Sequence, residues 1–385
     1  LRILHTADWH IGRRFHNVSL LDDQADVLEQ FIALARDARP DAIVIAGDVY
    51  DRADPSADAV RLLDDTLSRL AGEVAAPILI IAGNHDNGDR LGFGARLLAA
   101  HGLHIAGRFE APRGPVTLTD RYGPVHFHLL PYADPPLVRD ALDAPEVHGH
   151  EAATRATLER LRGRDDFDPA ARNVLVFHGF VTGGEGSESE RPLSVGGTGE
   201  VSASLFDGFC YVALGHLHRP QRIGADHIRY AGSLMKYSFS EAEHRKSVSL
   251  VELAADGAVT VETTPLVPRR DLRIIEGPFD EVIARGQRDA RNADYVLVRL
   301  QDEAPRLDAL ARIREAWPNV LHLERPALLA RLRRDTMPVN DVRSKGLLEL
   351  FEHFYRERRN EHLSDAQRDA LVQMIDEMRA QARQT

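Results

Sequence analysis

The sequence is poor in cysteine, in long apolar runs and in positive charge. Its one cysteine, Cys210, excludes an internal disulfide framework and any zinc site built on thiolates. That residue lies in the run FCYVAL and reads as an inert core side chain. No apolar stretch approaches the roughly 20 residues that cross a bilayer, so no membrane association is expected. The chain opens on a strand pattern instead of a basic segment followed by an apolar one, so no secretory signal is expected. These absences lead to the expectation of a cytoplasmic protein. The net formal charge is −11, and an acidic surface does not advertise generic nucleic-acid binding. A DNA partner would have to be held by local basic patches, by metal ions or with another subunit's help.

What is present is the composition of a soluble globular protein. The chain has 385 residues, 43% hydrophobic and 28% charged, enough for two or three domains. From residue 1 to about 265, short aliphatic runs alternate with amphipathic segments. The runs RILHTA, DAIVIAG, PILIIAG, VHFHLLPYA, NVLVFHG and YVALGH predict strands. Between the first three lie two helical patterns, with Val27, Leu28, Phe31, Ile32 and Leu34 on one stripe and Val60, Leu63, Leu67 and Leu70 on the other. Strands separated by helices imply crossover connections and a sheet buried on both faces, which is an α/β class. KSVSLVELAADGAVTVETTPL carries an Asp-Gly turn between alternating strands and predicts a hairpin.

The stretch 183–204, GGEGSESERPLSVGGTGEVSAS, is too polar for a core and reads as a long surface loop, functional or disordered. PLVPRR reads as a linker, followed by a small α/β domain over 270–335. Residues 340–385 are helical, with Leu347, Phe351, Phe354 and Tyr355 on one stripe and Leu371, Met374, Ile375 and Met378 on another. Ser364 is placed as an N-cap, with Gln367 three residues on.

Five polar clusters follow apolar strands directly. Asp8 and His10 stand after the first, two residues apart, so that in an extended chain they share a face. Asp48 and Asp51 follow the second, in GDVYD; Asn84 and His85 follow the third, in GNHD. His178 ends VLVFHG, and His216 and His218 end YVALGHLH. Each cluster alone has a dull explanation as a turn or a core histidine. In open α/β sheets, however, ligands bind beyond the carboxyl ends of the strands, and five runs delivering Asp, Asn and His to one rim point to one site.

Leaving out Asp51 and His85, these are two carboxylates, an amide oxygen and four imidazoles, without a thiolate, a set that suits Mn, Fe, Zn or Mg. Seven ligand side chains are too many for one ion and suit two that share a carboxylate. Such a pair lowers a bridging water's pKa and clamps both oxygens of an in-line displacement, which favours phosphoester hydrolysis.

DxH, GDxxD, GNHD, a lone His and GHxH, in that order, resemble the calcineurin-like metallophosphoesterase signature. The flanks HTADWHIGRRFHN, SESERPLSVGG, YVALGHLHRPQ and AGSLMKYSFSE resemble the Mre/SbcD nuclease family within it. The resemblance is strong over the catalytic region, moderate over the small α/β domain and weakest in the C-terminal helices. It implies a β-sandwich flanked by helices in α-β-β-α layers over 1–265, a capping domain over 270–335, and a helical segment over 340–385 that binds an SbcC-type coiled-coil ATPase subunit. It implies one metal held by Asp8, His10, Asp48 and His218, and another by Asp48, Asn84, His178 and His216. His85 would face the scissile phosphate as a catalytic acid, its imidazole oriented by Asp51. Mn²⁺ is the implied metal, with Mg²⁺ as the second choice. The implied activity is 3′→5′ exonuclease action on double-stranded ends and endonuclease action on hairpins or single strands, driven through the ATPase partner, in DNA repair, recombination and replication. A homodimer within a heterotetramer, associated with the nucleoid, is implied likewise.

Two other readings stand beside this one: a small-molecule phosphodiesterase or nucleotidase, and a silent scaffold of the same fold. Around the site, Arg13, Arg14 and His16 are candidates for a phosphate backbone, and His126 and His128 read as structural. Arg331, Arg333, Arg334, Arg343 and Lys345 read as a solvated basic face.

Overall fold

A computed structural model describes residues 1–193, 199–335, 347–359 and 361–382. They divide into two compact units, the first being Leu1–Ile275 with Val282–Val298 and Leu310–Leu323, the second Glu276–Glu281 with Arg299–Ala309 and Glu324–Thr385.

The first unit is built on two six-stranded sheets. One contains β1 (Arg2–Thr6), β2 (Ala42–Ala46), β3 (Ile78–Ile81) and β4 (Leu103–Ala106). The other contains β5 (Val116–Asp120), β6 (Gly123–Leu130), β7 (Arg172–His178), β8 (Tyr211–Gly215), β9 (Gln221–Ile223) and β10 (Ala225–Tyr230). A hairpin of β11 (Ser247–Leu253) and β12 (Val259–Pro265) returns to the first sheet beside β1. The strand orders are β12-β11-β1-β2-β3-β4 and β9-β10-β8-β7-β6-β5. In each sheet four consecutive strands run parallel, and the antiparallel pairings are confined to the flanks.

Alternation within each strand explains the layering. Ile3, Val44, Leu79 and Ile81 pack with Val125, Phe127, Val174, Val176 and Ala213 in one core between the sheets. Their neighbours Leu4, Ile43, Ile45, Ile78 and Ile80 face the other way, against Val27, Leu28 and Phe31 of α1 (Leu21–Ala38) and Leu63 and Leu70 of α2 (Ala57–Glu73). Leu175, Val212 and Leu214 meet Leu158 and Leu161 of α3 (Gly149–Arg162) on the far side of the second sheet. Strands apolar on both faces are what a parallel sheet buried on both sides demands. The result is the four-layer α-β-β-α sandwich.

Some details differ from the sequence expectations. Val60 is 44% exposed and Ala59 takes the inward position, while Leu63, Leu67 and Leu70 keep the expected face of α2. The 265–270 segment is tethered: Leu266 is buried, and Arg270 Nε donates to Asp23 Oδ1 at 2.9 Å, while Tyr295 Oη donates to Asp23 Oδ2 at 2.8 Å. Those contacts tie the start of the small α/β region into the first unit, which also carries most of a three-stranded sheet of Leu272–Gly277, Tyr295–Leu300 and Val320–Glu324.

The second unit contains helices Pro326–Asp335, Leu347–Arg359 and Asp365–Ala382. Ser364 N–H donates to Gln367 Oε1 at 3.0 Å and Gln367 N–H reaches back to Ser364 Oγ at 3.4 Å, a capping box. Phe351, Phe354 and Met374 are about half exposed, while Ile375 is buried. Arg343 and Lys345, and the side chains of Arg331, Arg333, Arg334, Leu347 and Met378, lie outside the described residues. No helix among the described residues is long and apolar enough to cross a membrane.

Candidate metal centre

The carboxyl ends of β1, β2, β3, β7 and β8 open onto one rim, and the five polar clusters stand there. Main-chain bonds lace the first two loops together: Asp8 N–H donates to Gly47 O at 3.0 Å and His10 N–H to Asp48 O at 2.9 Å. Gly83 and Gly215 are needed for close approach. A Cβ on Gly83 would lie 2.1 Å from Asp48 Oδ1, and one on Gly215 would lie 1.9 Å from Ala46 O. Positive φ falls on the candidate ligands themselves: Asp8 at 54°, His10 at 46°, Asp48 at 50° and His216 at 110°. Left-handed backbone at four non-glycine residues costs of order 1–3 kcal/mol each and persists only where the surroundings enforce it.

The loops bring together all seven candidate ligands. Asp8, His10 and His218 form one group whose ligand atoms lie within 4.8 Å of one another, and Asp48, His178 and His216 form a second. Asn84 Oδ1 joins the second, 3.0 Å from His178 Nε2 and 3.2 Å from His216 Nδ1. Asp48 Oδ2 lies between the groups, 3.6 Å from His10 Nε2 and 3.5 Å from His178 Nε2. Apart from half-buried Asn84, every member is at most 3% exposed.

Three observations fit divalent cations. Asp8 Oδ2 is buried without a hydrogen-bond partner. His10 Nε2 and His218 Nε2 face each other at 3.0 Å, a pairing of nitrogen lone pairs that requires a proton or a cation between them. His178 Nδ1–H donates to Ala46 O at 2.8 Å, which commits Nδ1 and turns Nε2 toward Asp48 and Asn84 as the atom left for a cation.

The electrostatics follow from burial. Desolvation pushes the Asp8 carboxyl up to about 7 against the pull of His178 and His218, and holds His10 and His216 well below the usual imidazole range. At Asp48 burial is outweighed by His178 and His10, so its carboxyl lies well below the usual range. At His178 burial is outweighed by Asp48 and Asp8, and the imidazole rises to about 9. Carboxylates packed this tightly with imidazoles, away from water, are groups awaiting positive charge.

His85 sits beside this pair of groups, its Nε2 4.0 Å from Asp48 Oδ2 and its main-chain N–H donating to Asp48 Oδ1 at 2.9 Å. One expectation is corrected. The Asp51 carboxylate does not orient His85; the Asp51 main-chain carbonyl does, accepting from Nδ1 at 2.8 Å. The carboxylate is engaged elsewhere, taking Arg13 Nη1 at 2.7 Å. Arg13 Nη2 also lies 3.5 Å from Ser189 O, and Arg14 is bonded to Asn17 O. His16 stacks on His322 with ring centroids 5.5 Å apart. His126 and His128 bond to Thr117 and Asn173, outside the cluster.

Several residues here were missed in the sequence. The Asp86 carboxylate accepts from the main-chain N–H of Val49, Tyr50 and Gly83 at 3.1, 2.9 and 2.9 Å, stapling the second loop to the third. Its place beside His85 in GNHD was visible; its role was not, because the bonds are to backbone. Asp86→Ala strands three buried donors, so stability measured by urea unfolding is expected to fall by about 2–5 kcal/mol. A loss under about 0.5 kcal/mol would mean that the staple is redundant. The polar 183–204 loop also departs from expectation: Ser189 is buried, drawn in by His218 and Glu241, while 194–198 lie outside the described residues. Arg191, two residues on, is exposed, and its charge helps to depress His85, where burial is the larger cause.

A model of the calcineurin-like phosphoesterases matches residues 1–220. The SbcD_C model, described as the type 5 capsule protein repressor C-terminal domain, matches residues 268–359. Among solved structures, TT1561 of Thermus thermophilus is similar at 18% identity, covering 69% of this chain and 98% of that one, with a TM-score of 0.42. A dimetal phosphatase from Danio rerio is similar at 14% identity, covering 69% of this chain and 96% of that one, with a TM-score of 0.40.

Proposed function

The chain belongs to the calcineurin-like phosphoesterases, metal-dependent hydrolases of phosphate esters, and from that premise we propose that it is the DNA nuclease subunit of an SbcCD-type complex. The observation that carries the hydrolytic part is Asp48 Oδ2, standing about equally far from a histidine of each ligand group. Asp8, His10, Asp48 and His218 would hold one cation, and Asp48, Asn84, His178 and His216 the other. Such cations supply Lewis acidity and an activated water. Mn²⁺ suits the mixed oxygen and imidazole donors, with Mg²⁺ as the weaker alternative.

His85 is assigned to the leaving group. Its Nδ1–H is committed to Asp51 O, so Nε2 is the atom available to deliver a proton to the departing oxygen, which it does from the imidazolium form of the ring. Asp51 contributes through its carbonyl, and its carboxylate keeps Arg13 in place.

The nuclease assignment, as against a small-molecule phosphodiesterase, rests on the SbcD_C match over 268–359. On this reading 1–265 is the nuclease domain, 270–335 the capping domain and 340–385 the segment that docks on a coiled-coil ATPase subunit. The half-exposed Phe351, Phe354 and Met374 supply an apolar face for that docking.

The test strips the purified protein with chelator and restores Mn²⁺ or Mg²⁺. DNA with free or blocked ends, a DNA hairpin and a short model diester are then compared, with and without the co-expressed ATPase subunit. Hydrolysis is expected to vanish on stripping and to return most fully with Mn²⁺. DNA is expected to be preferred, with end processing dependent on ATP when the subunit is present. A chain truncated after residue 338 is expected to keep the metal-dependent hydrolysis and lose the subunit. Equal rates on the model diester and on DNA would favour the small-molecule enzyme, and metal binding without hydrolysis the silent scaffold.

A further inference from the structure

We propose that Glu241 is a positioning residue that joins His218 to the 187–190 segment, so that cation binding at His218 and seating of that segment form one coupled event. The inference rests on the reading of His218 as a cation ligand.

His218 is gripped on three sides. Its main-chain N–H donates to Glu190 Oε1 at 2.8 Å, and its carbonyl accepts from Lys246 Nζ at 2.7 Å. Its Nδ1 lies 3.3 Å from Glu241 Oε1 and 2.5 Å from Ser189 Oγ. Only Nε2 is left to face His10 and the centre. An imidazole whose Nδ1 meets a carboxylate keeps its proton there and presents Nε2 as a lone pair, which is the arrangement a metal-binding histidine requires.

Glu241 is wholly buried, and its other oxygen, Oε2, lies 2.6 Å from the equally enclosed Lys246 Nζ. Burying an ion pair is at best weakly stabilising, so its presence calls for another use. Lys246 keeps the Glu241 carboxylate charged, and Oε1 is left for His218 and Ser189, with Ser187 Oγ 3.1 Å away. Ser189 Oγ touches both the ligand imidazole and the carboxylate that orients it. Glu190 closes the circuit: Oε2 accepts from Ser187 N–H at 2.6 Å and Ser187 Oγ–H at 2.7 Å, while Oε1 holds the His218 backbone.

Positive charge on Nε2 makes Nδ1–H a stronger donor and tightens its bonds to Glu241 and Ser189. Linkage then requires the reverse: seating of 187–190 raises cation affinity by the same factor.

Metal-free, full-length protein is titrated with Mn²⁺ by calorimetry, and hydrogen exchange of the 187–190 amides is followed with and without Mn²⁺. Wild type is expected to bind two cations and to slow exchange over 187–190. Wild type that binds none overturns the cation centre itself, a failure distinct from that of the coupling. Glu241→Gln is expected to weaken one cation by about 10- to 100-fold, leave the other unchanged and lose the Mn²⁺-induced protection. Because that change leaves Lys246 unpaired, Ser189→Ala, which adds no buried charge, decides the matter if Glu241→Gln does not fold. It is expected to weaken the same single cation and to lose most of the protection. Wild-type affinities and protection in the folded variants overturn the coupling. So does equal weakening of both cations, the signature of a purely structural role.

Discussion

Replacing His85 with leucine is expected to cut phosphodiester hydrolysis by at least about 10²–10⁴-fold, the usual worth of a positioned proton donor, while both cations stay bound. The geometry separates the two functions. His85 Nε2 is 4.0 Å from the nearest Asp48 oxygen, and its side-chain hydrogen bond is to the Asp51 carbonyl, so leucine removes a proton donor without removing a ligand atom. The main-chain N–H that supports Asp48 Oδ1 survives the substitution. Leucine roughly conserves the volume at a site that is 2% exposed, so the fold is expected to hold, and metal content by elemental analysis should match wild type. Near-normal cleavage by this variant would sink the role given to His85. Loss of a cation would show that it is a ligand instead, which the overlapping group of His10, Asp51 and His85 makes worth measuring.

The parallel, helix-covered sheets were legible because their strands are apolar on both faces and end in polar clusters, whereas the pairing of two sheets into a sandwich came only through the family resemblance. The seven candidate ligands were legible for the same reason: each stands within a few residues of a strand end. Three other kinds of feature were not. Backbone-mediated roles left no side-chain signature, so Asp51 was given the wrong atom and Asp86 no role at all. Contacts across long sequence separations were invisible: Ser189 and Glu190 lie in a stretch read as a surface loop, Lys246 opens a predicted hairpin and Glu241 was given no role, yet all four reach His218. Left-handed φ at Asp8, His10, Asp48 and His216 was not legible either, since nothing in these residue types announces it. Strain fell instead on the residues whose side chains must converge, where tight packing enforces it.

Asp48→Asn is expected to be more damaging than any other single isosteric change at this centre. Asp48 Oδ1 is already used in accepting from His85 N–H, so Oδ2 is the oxygen offered between His10 Nε2 and His178 Nε2. An asparagine placing its carbonyl at the first position sets an NH₂ group at the second, a donor where a shared negative acceptor is needed. Neither group keeps an anionic oxygen in common, so binding is expected to fall from two cations to at most one weak one, with hydrolysis down by at least about 10³-fold. The metal-free variant keeps the shape and the His85 bond but loses the charge that holds His178 protonated, so its own stability is a separate baseline. The discriminating measurement is therefore the stability gained on adding Mn²⁺. A ligand at about 100 times its Kd adds about 2.7 kcal/mol per site to the native state. Wild type should show a rise in melting temperature with added Mn²⁺, and Asp48→Asn almost none. If the variant matched wild type in both stoichiometry and thermal shift, Asp48 would not be the shared ligand, and the two groups would have to hold their ions independently.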